Sequence, residues 1–350
     1  MRQRKLVKVF YNRFMQGSSS RSINFREILV RRMIPGLLLG VVVLVILGLA
    51  GDLQEVTRQI RQFNWWMFLA ALSFTLFNYS LRFLKWHFYI HQIGARQVAW
   101  HESLRLFVAG FPLAVTPGKV GEAMKGVWLQ MLSGVPVARG ISVVVAERIS
   151  DGLAVLGLST LGVIAYPRYW PAFALILASL LTVVVISQIR PAAIWLLDHG
   201  ERIRFLRRLV GGLREFYEGS FSLFRPVATI LAVGLGAVSW LGEGIGFYFI
   251  LLGLGLPQSW ELFSLAVFTL SFSTVIGAVS ALPGGLGAAE ASIAGMLTLL
   301  GGISTPTASA ATLLIRLATL WFGVGLGLVI WLFSRDFLGL QMGNGYPFKS

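Results

Sequence analysis

The sequence predicts an all-α, polytopic membrane protein with two inverted repeats, each containing a re-entrant helix pair broken at a Pro-Gly dipeptide. Three observations predict this fold class: apolar runs of membrane-spanning length, basic charge concentrated in alternate connecting segments, and two Pro-Gly-x-x-Gly elements inside apolar sequence. The chain has 350 residues, of which 56% are hydrophobic and 13% are charged. Because soluble domains are about one quarter charged, this composition indicates a membrane protein.

The apolar runs set the order of the elements, since crossing the hydrocarbon core takes about 20 apolar residues. The predicted elements are a retained first span at 33–50, an external loop at 51–64, a second span from Trp65, a broken pair at 102–115 and 119–132, spans at 138–165, 170–188 and 227–252, a second broken pair at 262–281 and 285–301, and a last span at 305–333. They form a single transmembrane domain, 33–335, between a basic segment at 1–32 and a short tail at 336–350.

The positions of the basic residues predict the orientation of the chain. Residues 1–32 contain nine Lys and Arg against one acid, residues 189–225 contain seven Arg against four acids, and residues 253–262 contain no Lys or Arg. This is the positive-inside pattern, and it places the N-terminus, 87–101 and 189–225 on the cytoplasmic side of the plasma membrane. Residues 4–15 either lie along that leaflet as an amphipathic segment or belong to a disordered basic tail.

The net charge of +15 is therefore interpreted as attracting anionic lipid rather than nucleic acid. No nucleic-acid partner is expected. The second span is predicted to leave the membrane on the cytoplasmic side through four residues: Arg82, Lys85, His87 and His91.

The two halves of the chain share a spaced motif. Pro117 and Pro283 each open a Pro-Gly-x-x-Gly element, completed by Gly121 and Gly287. In each half a later glycine precedes an arginine within apolar sequence by 14 residues, from 134 to 148 and from 302 to 316. The loop charges give the two copies opposite orientations. Inverted repeats with broken helices are typical of secondary transporters, whose site lies near the bilayer midplane.

The Pro-Gly breaks allow two interpretations. Freed backbone groups are tolerated where they line a protein cavity instead of facing lipid, and proline suits the first turn of a new helix. Helices beginning near Gly118 and Gly284 would then aim their N–H groups inward at an anion such as phosphate. Alternatively, both breaks are packing kinks in which glycine permits close contact. Because the elements are matched, the cavity interpretation is favoured.

Charged residues inside apolar sequence provide the candidate site, because each costs at least about 2.5 kcal/mol at the bilayer centre. Candidate ligands of a lipid phosphate are the side chains of Lys119, Arg148 and Arg316, with the backbone at Gly118 and Gly284. Candidate cavity acids or ion-pair partners are Glu122, Glu147, Asp151, Glu243 and Glu290, of which Glu147 and Asp151 are expected to hold Arg148. The alternative is a salt-bridge network that only fixes helix register.

Other kinds of site find little support. His87 and His91 lack a third ligand, so no metal is predicted. The chain contains no phosphate-binding P-loop and no Gly-x-Ser-x-Gly nucleophile turn. No cofactor and no enzymatic activity are expected.

Four stretches resemble the transmembrane region of the lysylphosphatidylglycerol synthase/flippase family. They are LRFLKWHFYI at 81–90, TPGKVGEAMKG at 116–126, ERISDG at 147–152 and LPGGLGAAEAS at 282–292, and the likeness extends over roughly 33–335. The resemblance implies movement of lipids between leaflets. Bifunctional members carry a soluble aminoacyltransferase domain after this region, whereas this chain stops at Ser350, which implies translocation without aminoacylation.

The leading hypothesis is thus a flippase-like translocase of anionic or otherwise phosphate-bearing lipids. A second hypothesis is an accessory protein that binds lipid without moving it and assists an enzyme of lipid or cell-envelope glycan synthesis. An enzyme acting on a lipid phosphate is disfavoured by the missing acid–base and nucleophile motifs. Ion conduction is disfavoured by the mixed charge of the apolar segments.

Overall fold

The computed structural model describes residues 25–116, 121–165, 170–202 and 207–334, and these are helical apart from short connections. The first half of the chain contains α1 (Phe25–Ala50), α2 (Leu53–Gln62), α3 (Trp65–Gln92), α4 (Trp100–Ala109), a 3₁₀ turn (Phe111–Val115), α5 (Met124–Ser133), α6 (Val137–Ala165) and α7 (Trp170–Gln188). The second half contains α8 (Arg190–Arg202), α9 (Arg207–Leu223), α10 (Pro226–Gly253), α11 (Trp260–Val279), a 3₁₀ turn (Pro283–Gly285), α12 (Ala288–Leu299) and a helix formed by α13 (Thr305–Arg316), a π turn (Leu317–Trp321) and α14 (Phe322–Phe333).

The predicted all-helical membrane architecture is confirmed within the described residues. Four helices are long and apolar enough to span a bilayer: Trp65–Gln92, Pro226–Gly253, Trp260–Val279 and Thr305–Phe333. A fifth span results if Ala174–Gln188 and Ala193–His199, which meet at 77°, cross together. The first predicted span corresponds to α1, which begins earlier, at Phe25, and includes Pro35.

One prediction about the connections needs correction. The external loop expected at 51–64 contains α2, whose first turn is capped by the Asp52 side chain accepting from the Gln54 N–H at 3.1 Å. The two broken pairs differ in length, as their predicted ranges do. The first consists of two 10-residue helices, whereas α11 in the second has 20 residues and passes the length test for a full span.

The long helices α3 and α10 form the central contact of the fold. The Asn78 side-chain amide donates to the Ser239 carbonyl at 3.1 Å, and the Ser239 hydroxyl donates to the Asn78 carbonyl at 3.3 Å. Small residues bring the backbones close, because a Cβ added at Gly246 would lie 3.3 Å from the carbonyl oxygen of Ala71. Apolar helices packed through small and hydrogen-bonding residues are typical of membrane interiors.

The two break regions meet in space although they are far apart in sequence. The turn Phe111–Val115, just before Pro117, packs against Pro283–Gly285. A Cβ added at Gly284 would lie 3.3 Å from Cγ1 of Val115, and one added at Gly36 of α1 would lie 1.9 Å from the Val115 carbonyl oxygen. The contact joins the two halves on one side of a central cavity.

Candidate functional site

The central cavity has a volume of about 450 Å³ and receives side chains from both halves of the chain. Its charged lining among the described residues consists of four cations, Arg82, Lys125, Arg148 and Arg316, and three acids, Glu122, Asp151 and Glu243. The volume falls within the roughly 300–1,000 Å³ typical of small-molecule sites. The sequence-predicted residues Arg148 and Arg316 therefore border one common space.

On α6, three charged residues at 147, 148 and 151 pair with three different segments. Glu147 Oε2 lies 3.4 Å from the Lys125 ammonium of α5. Asp151 bonds the Lys85 ammonium of α3, and its other carboxylate oxygen lies 3.7 Å from Arg82 Nε. Because each helical residue advances by about 100°, neighbours on α6 point toward different partners.

The partner of Arg148 differs from the prediction. Its Nε lies 3.3 Å from Glu122 Oε2, while Glu147 and Asp151 pair with lysines and Arg82 instead. Glu147 and Asp151, which were expected to hold Arg148, form their own ion pairs with cations on other helices, and the spacing within one helix could not reveal those pairs. The Arg148 side chain remains 37% exposed, toward the cavity.

Arg316 is held more tightly than Arg148. Its Nε donates to Glu290 Oε1 at 2.5 Å, and its Nη2 donates to the carbonyl of Gly284 at 2.9 Å. The second oxygen of Glu290 accepts from the Gly287 N–H at 2.7 Å. One carboxylate thus joins the second break, the start of α12 and the guanidinium at the end of α13.

The glycines of the second break have a left-handed backbone conformation. Gly284, Gly285 and Gly287 have φ values of +63°, +68° and +86°, a region that favours glycine. The α-helix begins at Ala288 rather than near Gly284, and the Gly287 N–H at its start donates to Glu290 instead of facing an anion. Gly284 lines the cavity and offers its carbonyl to Arg316.

The first break is described only in part. Pro117, Gly118 and Lys119 lie outside the described residues. Gly121 is buried and its N–H donates to the Thr116 hydroxyl at 3.0 Å. The α-helix that follows begins at Met124.

The sequence interpretation missed two cations that the fold buries. Arg82 and Lys85 were predicted to mark the cytoplasmic exit of the second span, but Lys85 is 1% exposed and Arg82 lines the cavity. The prediction failed because α3 continues beyond them through buried Trp86 and Ile90. The apolar residues after Lys85 were the sequence signal that the helix stays buried. A third buried cation, Lys125, follows the first break and is enclosed by the rings of Trp86 and Phe107, at 4.8 Å and 5.2 Å from their centroids.

Two guanidinium groups on the cavity wall make no hydrogen bond within the described part of the chain. Arg82 Nε and Arg148 Nε are both buried without a hydrogen-bond acceptor, although each lies within ion-pair distance of a carboxylate. Buried polar groups are normally satisfied by protein or water. Both guanidinium groups border the cavity, and arginine N–H donors form strong, charge-assisted hydrogen bonds with oxyanions.

Glu243 is the cavity acid without a close partner among the described residues. It is 6% exposed, lines the cavity from α10, and forms neither a hydrogen bond nor a salt bridge there. Nearby on α3, the Tyr79 hydroxyl donates to the Thr319 carbonyl at 2.7 Å, within the π turn that follows Arg316. Single π turns are frequent at functional sites.

Comparison with known proteins places most of the chain in one group. Residues 33–327 match the family described as "Lysylphosphatidylglycerol synthase TM region". A "UPF0104 membrane protein" of Methanothermobacter thermautotrophicus is 25% identical over 309 residues, which cover 81% of this chain and 87% of that protein. The family match includes every charged residue of the cavity, from Arg82 to Arg316.

Proposed function

The chain belongs to the family of the lysylphosphatidylglycerol synthase transmembrane region, and from this premise we propose that it moves a phosphate-bearing lipid between leaflets. The lipid headgroup enters the central cavity while its hydrocarbon stays outside that cavity. The protein acts at the plasma membrane, with a cytoplasmic N-terminus, and performs no covalent chemistry. Its partners are anionic or other phosphate-bearing membrane lipids.

The observation that carries this proposal is that two guanidinium groups, those of Arg82 and Arg148, border one cavity and make no hydrogen bond among the described residues. Arginine presents several N–H donors in a planar fork that suits phosphate oxygens. A hydrogen bond to a charged group is about twice as strong as a neutral one. A phosphate between these two side chains would satisfy both.

We also propose that the two halves are inverted copies that close alternately around the headgroup. This proposal is supported by a pattern that both halves share. In each half, a Pro-Gly break is followed by a buried glutamate, and an arginine follows that glutamate by 26 residues, from 122 to 148 and from 290 to 316. The breaks contact each other through Val115 and Gly284. Broken helices that meet beside a central site are the arrangement through which inverted-repeat transporters alternate access.

Lipid scrambling in proteoliposomes tests the function. Vesicles of phosphatidylethanolamine and phosphatidylglycerol receive a fluorescent phosphatidylglycerol, and an impermeant reductant reports which leaflet holds the label. Wild-type protein is expected to accelerate exchange between leaflets. The variants R82A and R148A, and the double variant R148A/R316A, are expected to lose most of this acceleration.

The matched control is R139A. Arg139 pairs with Glu215 at 2.5 Å on the surface, where the two side chains are 31% and 38% exposed, so its removal should leave scrambling intact. Unchanged scrambling in R82A and R148A would remove these residues from the mechanism. Wild-type protein that retains lipid through purification yet moves none would instead support the accessory-protein hypothesis.

A further inference from the structure

A second, apolar groove is formed by two helices that also line the central cavity. It has a volume of about 300 Å³ and lies between α11 and α12. Its lining includes Phe268, Phe272 and Ile276 from α11 and Ala288, Met296 and Leu300 from α12. The groove carries no charged side chain among the described residues, in contrast to the cavity behind it.

The helices α11 and α12 form a wall one helix thick between groove and cavity. On α11, Ile276 lines the groove while the next residue, Gly277, lines the cavity. On α12, Ala288 lines the groove while Ala289 lines the cavity. Because successive residues of a helix point about 100° apart, each helix presents one face to each space.

The two spaces are separated by a seam with few polar links. The Ser273 hydroxyl, on the cavity side, donates to the Ser292 hydroxyl, on the groove side, at 3.0 Å. Within the described residues, it is the one side-chain hydrogen bond that joins α11 to α12. Nearer the break, Gly277 lies against Ala289, since a Cβ added to the glycine would be 3.2 Å from the alanine Cβ.

We propose that the groove holds a hydrocarbon chain of the same lipid whose headgroup occupies the cavity, and that the α11–α12 seam is the passage between them. This inference rests on the proposed function and specifies the substrate as an amphipathic lipid bound in two parts. The polar cavity and the apolar groove, one helix apart, match the two ends of such a molecule. Leu299, which also lines the groove, is 85% exposed on the apolar exterior, so the groove opens where lipid chains lie.

The first test fills the groove with an aromatic ring. Ala288→Phe places the ring in the groove, and Ala291→Phe places the same ring on an exposed position of the same helix. Scrambling of fluorescent phosphatidylglycerol is measured in the vesicles described above. A288F is expected to slow wild-type scrambling about tenfold, equivalent to about 1.4 kcal/mol, and A291F to leave it unchanged.

A ligand without a hydrocarbon chain separates the two proposals. Binding of sn-glycerol 3-phosphate to the purified protein needs only the cavity, so A288F should bind it as wild type does, whereas R148A should not. Equal scrambling by A288F and A291F overturns the groove proposal and leaves the proposed function standing. If wild type neither scrambles lipid nor binds glycerol phosphate, the proposed function fails and the groove proposal falls with it.

The second test closes the seam reversibly. The chain contains no cysteine, so a variant with both Ser273→Cys and Ser292→Cys has two thiols and no others. The hydroxyl oxygens at these two positions are 3.0 Å apart. Oxidation is expected to stop scrambling, and reduction is expected to restore it. A disulfide that forms, as shown by mass, and leaves scrambling unchanged overturns the passage. If A288F scrambles lipid normally but its oligomeric mass changes, the groove is a contact between protein subunits. That result would also overturn the proposal.

Discussion

Nε of Arg316 lies 2.5 Å from Oε1 of Glu290, the buried acid that precedes it by 26 residues. The same separation, from 122 to 148, joins Glu122 to Arg148 at 3.3 Å in the first half. The two pairs differ in how fully the arginine is engaged. Arg316 also donates to the Gly284 carbonyl and is 13% exposed, whereas Arg148 is 37% exposed and makes no hydrogen bond among the described residues. We therefore expect Arg316 to hold the break and Arg148 to contact the ligand.

Arg316→Ala is expected to destabilise the protein more than Arg148→Ala. Removing Arg316 leaves the Glu290 carboxylate, 2% exposed, without its cation, and breaking a buried pair costs about 3–5 kcal/mol. Removing Arg148 also leaves a buried acid, Glu122, but Arg148 is itself 37% exposed and makes no hydrogen bond among the described residues, so the loss should be smaller. Thermal unfolding in detergent compares the two variants. Equal losses of stability would contradict this division of roles.

Neutralising both partners of the second pair should recover much of that loss. In Glu290→Gln with Arg316→Gln, neither of the two positions keeps an unpaired charge, and glutamine can still accept from the Gly287 N–H, as in a capping box. A double-mutant cycle measures the coupling between the two positions, expected at about 0.5–3 kcal/mol. Additive effects of the two single substitutions would show that the pair is not coupled.

Asp151→Asn is expected to be strongly destabilising, because Asp151 is the counter-charge of Lys85, which is 1% exposed, and of Arg82. Removing one member of a buried pair leaves an uncompensated charge and costs about 3–5 kcal/mol. Glu215→Gln is the matched control, since its pair with Arg139 is partly exposed and should contribute at most about 1 kcal/mol. Similar unfolding temperatures for the two variants would be the contrary result.

Glu243→Gln is expected to tighten binding of a phosphate in the cavity. The carboxylate lines the space that holds Arg82, Arg148 and Arg316, and it has no close partner among the described residues. Its negative charge opposes a bound anion, and at an effective dielectric constant near 20 this repulsion is about 1–2 kcal/mol. Binding of sn-glycerol 3-phosphate at neutral pH should strengthen by roughly fivefold or more. Unchanged or weaker binding would assign Glu243 a different role.

The sequence was informative about which segments are helical and which arginines matter, and less so about their partners. The 14-residue spacing after a loop glycine singled out Arg148 and Arg316, and both border the cavity. The helical period could not reveal that Arg148 pairs with Glu122 of the preceding segment, because the direction of each side chain depends on how helices pack. Lys85 was misassigned to the surface for the same reason: its acid, Asp151, lies 66 residues away.

Gly285→Ala is expected to destabilise the second break, and Gly295→Ala provides the control. Gly285 has a φ of +68°, and an added Cβ would lie 2.9 Å from the Cα of Gly277 and 3.2 Å from its carbonyl oxygen. Alanine is strained at positive φ, and the contact would push α11 away from the break. Gly295, inside α12, has no atom within 4 Å of an added Cβ, so alanine there should stabilise the helix by about 0.5–1 kcal/mol. Opposite shifts of the unfolding temperature in the two variants are the expected result. A stabilising effect of G285A would mean that the close approach of Gly277 and Gly285 is not required.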